Sequence, residues 1–296
     1  MAYTGQVGEL RSLWVRVADL RTWLPAHAAS WAVLIFSIGT ILSAVLQRHL
    51  LEEAQTSQHL VEFNVGEMFA AAAIVSLVLS RPYKRVSLAC FDIAVMLLAA
   101  LAWFLPEQHS VYLAMTLAGA WIVLRRCSDP QMASVGQIWI ALSIYELWGK
   151  LLFKVAYQTI EVVEVGLIYR VGRLFHSGLG LNGASLSVGG DWSIVILEGC
   201  SSFHNLSLTV LIWLAILKIA EQAADQGAFR ALGMSACLVV VINVARILAM
   251  LPSREAYEFW HEGPGSSLVA FASVSAAIVP ILLYVEKRKW RLSPQT

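Results

Sequence analysis

Glu198-Gly199-Cys200-Ser201-Ser202-Phe203-His204-Asn205 marks the point where a glycine-rich polar segment gives way to a long apolar run, Leu206–Ala220. Upstream, Trp192–Leu197 alternates and is rich in Ile and Val. The stretch reads as an aqueous loop entering a membrane helix, with Ser201 and Ser202 in the first turn. A first helical turn carries unpaired backbone N–H groups and the positive end of the helix dipole. Both favour an anion, so the Cys200 thiol is expected to have a lowered pKa and more thiolate character. The plainer expectation for such a cysteine is a small side chain filling the start of a helix.

Leu206–Ala220 is one of several such runs. The chain has 296 residues, 58% hydrophobic and 14% charged, with a mean hydropathy of +0.67. Several segments reach the roughly 20 apolar residues that span a bilayer. This composition excludes an ordinary soluble domain. It predicts an all-α polytopic membrane protein, with about eight transmembrane helices and a small extracytoplasmic cap between helices five and six. A net charge of +1 carries no nucleic-acid signal. Cys90, Cys127, Cys200 and Cys237 are too few and too scattered for a disulfide framework, and none forms a Cys-x-x-Cys pair.

The spans are expected near 28–46, 66–80, 86–105, 110–124, 134–153, 201–220, 229–251 and 266–285. The first has no small-residue cleavage site at a suitable distance and reads as an uncleaved anchor. Arg11, Arg16, Arg21, Arg81, Lys84, Arg85, Arg125, Arg126, Lys218, Arg230, Lys287, Arg288, Lys289 and Arg291 fall on one set of loops. By the positive-inside rule both termini are cytoplasmic and Cys200 opens the sixth span from outside. The chain thus divides into a cytoplasmic segment (1–27), a five-helix part (28–154), a cap (155–199), a three-helix part (200–285) and a basic tail (286–296). In the cap, Gln158, Glu161, Glu164, Arg170 and Arg173 among apolar residues suggest a helix lying in or leaving the interface. Ala184–Val188 and Asp191–Leu197 flank Gly189-Gly190 and read as a hairpin.

Three segments then supply chemistry at one membrane face. In span seven Asn243 and Arg246 are three apart and share a helix face. An Arg at that depth is costly unless it snorkels or is partnered, which makes it a functional candidate; Glu146 and Glu198 are candidate partners. The loop 252–265 carries His261 in Trp-His-Glu-Gly-Pro-Gly. A nucleophilic thiol needs a proton acceptor and its tetrahedral oxyanion needs fixed donors, and Cys200, His261 and Arg246 meet those needs. Ser201, His204 and Asn205 stand where they would orient the sulfur or substrate, with interhelical hydrogen bonding as the plainer role. Asp92, nearer the cytoplasmic end of span three, is expected to be structural.

Glu198-Gly-Cys-Ser-Ser, the Asn243-x-x-Arg246 pair followed by Ile247, and His261 before a final span, in this order, resemble the exosortase/archaeosortase family of membrane-embedded cysteine transpeptidases. The similarity covers mainly residues 155–285. The family pattern is commonly Ala-Cys-Ser-Gly followed by an apolar residue and Arg; here Gly199 replaces the Ala, Ser202 the Gly, and His204 stands in place of the Arg. The resemblance implies Cys200 as nucleophile, His261 as general acid/base and Arg246 as stabiliser of the oxyanion or thiolate. It also implies secreted protein substrates bearing a C-terminal sorting signal: a short motif, a membrane helix and a basic tail. The site would face outward from the plasma membrane, among membrane lipid. No metal or organic cofactor is expected, because Cys200, His204 and His261 lack zinc-ligand spacing. Two competing expectations remain. One is a small-solute transporter or non-catalytic assembly factor with Arg246 as an anion site, although inverted repeats are not evident. The other is an acyltransferase using the same Cys–His pair on lipid.

Overall fold

A computed structural model of the chain describes residues 28–53, 64–79, 88–188, 192–196 and 201–292. The N-terminal segment 1–27, the Gly189-Gly190 turn, Glu198 and Cys200 lie outside the described residues. Helices α1 (Ala28–Glu53), α2 (Val65–Leu79), α3 (Cys90–Ala100, extended by a 3₁₀ turn, Leu101–Phe104) and α4 (Gln108–Arg125) come first. Next are α5 (Pro130–Ser143), a π segment (Ile144–Trp148) and α6 (Gly149–Gly172). Strands β1 (Leu179–Asn182), β2 (Ser185–Val188) and β3 (Ser193–Val195) follow, then α7 (Phe203–Ile219), α8 (Gln226–Met250), α9 (Arg254–His261) and α10 (Pro264–Leu292).

Three described helices are long and apolar enough to cross a membrane, over Ala28–Arg48, Gln226–Met250 and Pro264–Trp290. Val65–Leu79, Cys90–Phe104 and Phe203–Ile219 are shorter apolar helices. Large apolar side chains such as Leu98, Leu117, Phe271 and Leu283 point outward, as suits helices whose surroundings are lipid rather than water. The chain is therefore a mainly helical membrane protein.

The chain forms two compact units, Met1–Phe63 with Ile74–Trp139 and Asn64–Ala73 with Ile140–Thr296. In the first, polar groups buried among apolar helices are paired, as an apolar interior requires. Trp139 donates from Nε1 to Ser37 Oγ at 2.8 Å, and Trp103 to Thr40 Oγ1 at 3.0 Å. Asp92 is fully buried and accepts from Arg126 Nε at 2.8 Å, Trp121 Nε1 at 3.1 Å and the Ala89 backbone N–H at 2.8 Å. Its role in the fold is thus a buried ion pair holding α3 to the end of α4.

In the second unit α8 and α10 pack along each other, α7 lies against both, and α9 folds back on α8 and α10. The onset of charge near Lys154 predicts the end of a span and a helix lying in or leaving the interface. Helix runs on through the π segment to Gly172, so residues 154 and 155 lie inside α6. Polarity sets what surrounds a helix; no proline interrupts its backbone here.

The expected hairpin exists as β2 and β3, antiparallel with Leu186 opposite Ile194. A third strand, β1, pairs with β2 through the Asn182–Ser185 register and was not expected. The two-residue turn between them is Gly183-Ala184, with Gly183 at φ 58°, where a side chain would be strained and glycine is not. One face of this small sheet is apolar. Leu179, Leu186, Ile194 and Ile196 pack with Val165 and Ile168 of α6 and Val244, Ile247 and Met250 of α8. The sheet is thereby fixed to the end of α8 that carries Arg246.

Candidate active site

Helix α7 starts at Phe203, with Ser202 as its N-cap, two residues later than the sequence suggests. A serine in that position usually accepts from the backbone of the first turn. Ser202 does not; no side-chain cap is formed. A carboxylate from another helix takes over. Glu164 of α6 accepts from the Ser202 backbone N–H at 2.6 Å and from Ser202 Oγ at 2.7 Å through Oε1. Its Oε2 accepts from Ser201 Oγ at 2.6 Å, and that hydroxyl oxygen accepts from the Phe203 N–H at 3.2 Å. Two N–H groups at the start of this helix, those of Ser202 and Phe203, are therefore engaged, by Glu164 and by the Ser201 hydroxyl.

Asn243 joins the same carboxylate, donating from Nδ2 to Glu164 Oε1 at 3.3 Å. It is buried, as are Ser201 and Ser202. One turn further along α8, Arg246 is partly buried and donates from Nε to the carbonyl oxygen of Trp260 at 3.3 Å. Trp260 is followed by His261, the last residue of α9. This short helix begins with a serine cap, Ser253 Oγ accepting from Ala256 N–H at 3.2 Å. It ends in a tight reversal: Glu262 and Gly263 N–H both donate to the Glu258 carbonyl. A Cβ on Gly263 would stand 2.9 Å from the Phe259 carbonyl oxygen, and one on Gly265 would stand 2.7 Å from the Trp260 ring. Only glycine lets the chain turn that closely behind His261.

His261 stacks on Tyr257, ring centroids 4.7 Å apart and nearly parallel at 15°. Tyr257 meets Trp192 edge-on at 5.8 Å. Among the described residues the buried Nδ1 of His261 has no hydrogen-bond partner; the Glu262 carboxylate lies 4.0 Å from it.

His204 and Asn205 are set differently. His204 is exposed and stacks on Tyr145 at 4.7 Å. With Asn205, Ser201, Phe203, Gly149, Lys150 and Phe153 it lines a pocket of about 230 Å³. Lys150 is bound to Glu146 Oε2 at 3.1 Å, and Glu146 Oε1 accepts from Asn64 Nδ2. Glu146 thus partners Lys150 and Asn64 rather than Arg246.

Of the expected site residues, Ser201 and Asn243 meet at one carboxylate, Arg246 and His261 are linked through the Trp260 backbone, and His204 and Asn205 border the pocket beside Ser201. Glu164 is the residue that sequence reasoning misses. Its signal is its position four residues before Ile168 and one before Val165, both fully buried or nearly so. That places it beside the inward stripe of α6 instead of on a solvated face.

The chemical capacity of this arrangement is a guanidinium, an imidazole and a hydrogen-bonded turn, all carried by one unit. Comparison of the chain with protein-family models, with curated proteins and with solved structures gave no match.

Proposed function

We propose that the protein is an exosortase-like membrane cysteine protease/transpeptidase, cleaving the C-terminal sorting signal of secreted proteins at the outer face of the plasma membrane. The observation that carries this reading is the linked path Ser201/Ser202–Glu164–Asn243, with Arg246 one turn on and its side chain held at the residue before His261. The residues directly after Cys200 are thereby joined to the helix bearing the cation. In the proposed topology eight helices span the membrane, both termini are cytoplasmic and this site is extracytoplasmic.

In the proposed reaction His261 takes the Cys200 proton as the sulfur attacks the scissile carbonyl carbon. Arg246 stabilises the negative oxygen of the tetrahedral intermediate. The C–N bond then breaks and His261 returns the proton to the departing amine of the tail, leaving an acyl thioester. An amine acceptor or water attacks that thioester, passing a proton through His261 and restoring the thiol. A substrate helix with its basic tail held inside presents the preceding peptide at the depth of Ser201, which favours a C-terminal signal over an internal loop.

Co-expression with tagged secreted proteins carrying such a signal, followed by mass spectrometry of their C-termini, tests the reading. New C-termini should appear with the native protein, and unprocessed substrate should accumulate with Cys200→Ala. Normal processing in that variant refutes the reading.

A further inference from the structure

An imidazole that works as a base from one ring nitrogen needs a partner on the other, because that partner sets the tautomer and the orientation of the ring. In His261 the ring plane is fixed by Tyr257, which stacks on it at 4.7 Å and 15°. Although 29% of the side chain is exposed, Nδ1 is buried, and among the described residues it has no hydrogen-bond partner. A buried ring nitrogen left in that state is unfavourable in either tautomer, so the site calls for an acceptor or donor at Nδ1.

Three carboxylates lie on or directly after α9: Glu255, Glu258 and Glu262. Two are engaged by their own neighbours. Glu255 Oε2 accepts from Ser253 Oγ at 3.3 Å, and Glu258 Oε1 accepts from Arg254 Nε at 2.9 Å. Glu262 is placed differently. Its backbone is pinned, the N–H donating to the Glu258 carbonyl at 3.1 Å. Its carboxylate is 73% exposed, and among the described residues its one ionisable partner is His261 Nδ1, 4.0 Å from Oε1. That gap is about 1 Å longer than a hydrogen bond and lies within reach of a side-chain rotation.

We infer that Glu262 is a positioning residue behind His261: its carboxylate closes on Nδ1, holds the proton there and leaves the Nε2 lone pair to act as the base. This rests on the proposed role of His261 as general acid/base. When Nε2 takes a proton from the attacking group, the ring becomes an imidazolium with both nitrogens protonated. The Glu262 charge stabilises that cation and does not itself take the second proton. Once Nε2 returns its proton to the departing amine, the ring is again the neutral Nδ1–H tautomer.

The test is the tautomer of His261, read by nitrogen NMR of the full-length protein isotope-labelled at histidine in nanodiscs, with His261→Gln used to assign its signals. At a pH where the ring is neutral, the native protein should show Nδ1–H. Glu262→Ala should shift the ring toward Nε2–H and lower kcat for substrate processing by about 10-fold to 100-fold, with KM little changed. Glu262→Gln keeps a carbonyl oxygen that can accept from Nδ1, so the tautomer should stay native while kcat recovers only part of the loss. The side chain is largely exposed, so neither variant should move the thermal unfolding midpoint appreciably. Nε2–H in the native protein, the native tautomer in Glu262→Ala, or a native kcat in that variant overturns the assignment. If Cys200→Ala leaves processing intact, the enzymatic reading fails by itself, and the tautomer still decides the placement of Glu262.

Discussion

Arg246 holds the backbone of Trp260: its Nε donates to that carbonyl at 3.3 Å, across the turn between α8 and α9. The cation therefore has a structural tie on one edge of its guanidinium plane and sets the position of the next residue, His261. A lysine cannot do both, because its ammonium is a single point donor with no planar fork.

Arg246→Lys is accordingly expected to keep the charge and lose the geometry. Processing of a co-expressed substrate should fall by about 10-fold to 100-fold, while the thermal unfolding midpoint of the purified protein moves little. Processing at the native level in this variant would separate Arg246 from the chemistry.

The small sheet offers a second test. Leu186 is fully buried at the centre of the cluster joining the sheet to α6 and α8. Leu186→Ala leaves a cavity there and should destabilise the protein by about 2–4 kcal/mol. Because that cluster includes Ile247, next to Arg246, substrate processing should decline as well. Both follow from denaturant titration and a processing assay on the same preparation.

At the far ends of α7 and α8 from this site, Asp225 ties the connection between those two helices to α10. Its Oδ1 accepts from Tyr284 OH at 2.7 Å and from the Ala228 N–H at 2.9 Å; its Oδ2 accepts from Arg288 Nη1 at 2.7 Å. The Tyr284 hydrogen bond, then the Ala228 N–H and the Arg288 charge, hold its carboxyl below the usual carboxylate range. A depressed folded-state pKa contributes stability that is present above the unfolded pKa and is lost as pH falls through the folded value. The thermal midpoint of the native protein should therefore exceed that of Asp225→Asn by a constant margin at neutral pH. The margin should shrink only on acidification below the ordinary carboxylate range. A margin that persists unchanged into strong acid would show that the carboxylate charge is not what stabilises the latch.

How much of this is legible in the sequence differs from element to element. Leu206–Ala220 and the run 229–251 announce helices because long apolar stretches have few other solutions in a bilayer. The Asn243–Arg246 face follows from helical spacing alone. The continuation through the π segment into α6 is not legible, since a run of charges at 158–173 fits a surface helix as well as an extension. Strand β1 carries a readable signal, a glycine at Gly183 directly after Leu179–Asn182, which the more conspicuous Gly189-Gly190 pair overshadows. Glu164 illustrates a deeper limit. Its partners Ser201 and Asn243 are 37 and 79 residues away, and no local pattern encodes which buried donors a carboxylate will meet. The same limit applies at the start of α7, where the sequence does not show that the Ser202 N–H meets a carboxylate from another helix.

The covalent step at Cys200 is the one on which the proposed reaction most directly depends. Membranes co-expressing the protein and a tagged substrate can be quenched in acid, digested and searched for a substrate fragment joined to the Cys200 peptide. The account predicts an adduct released by neutral hydroxylamine, as a thioester is, with the substrate fragment ending at the processed C-terminus and no adduct in Cys200→Ala. Processed substrate in the Cys200→Ala membranes would contradict it.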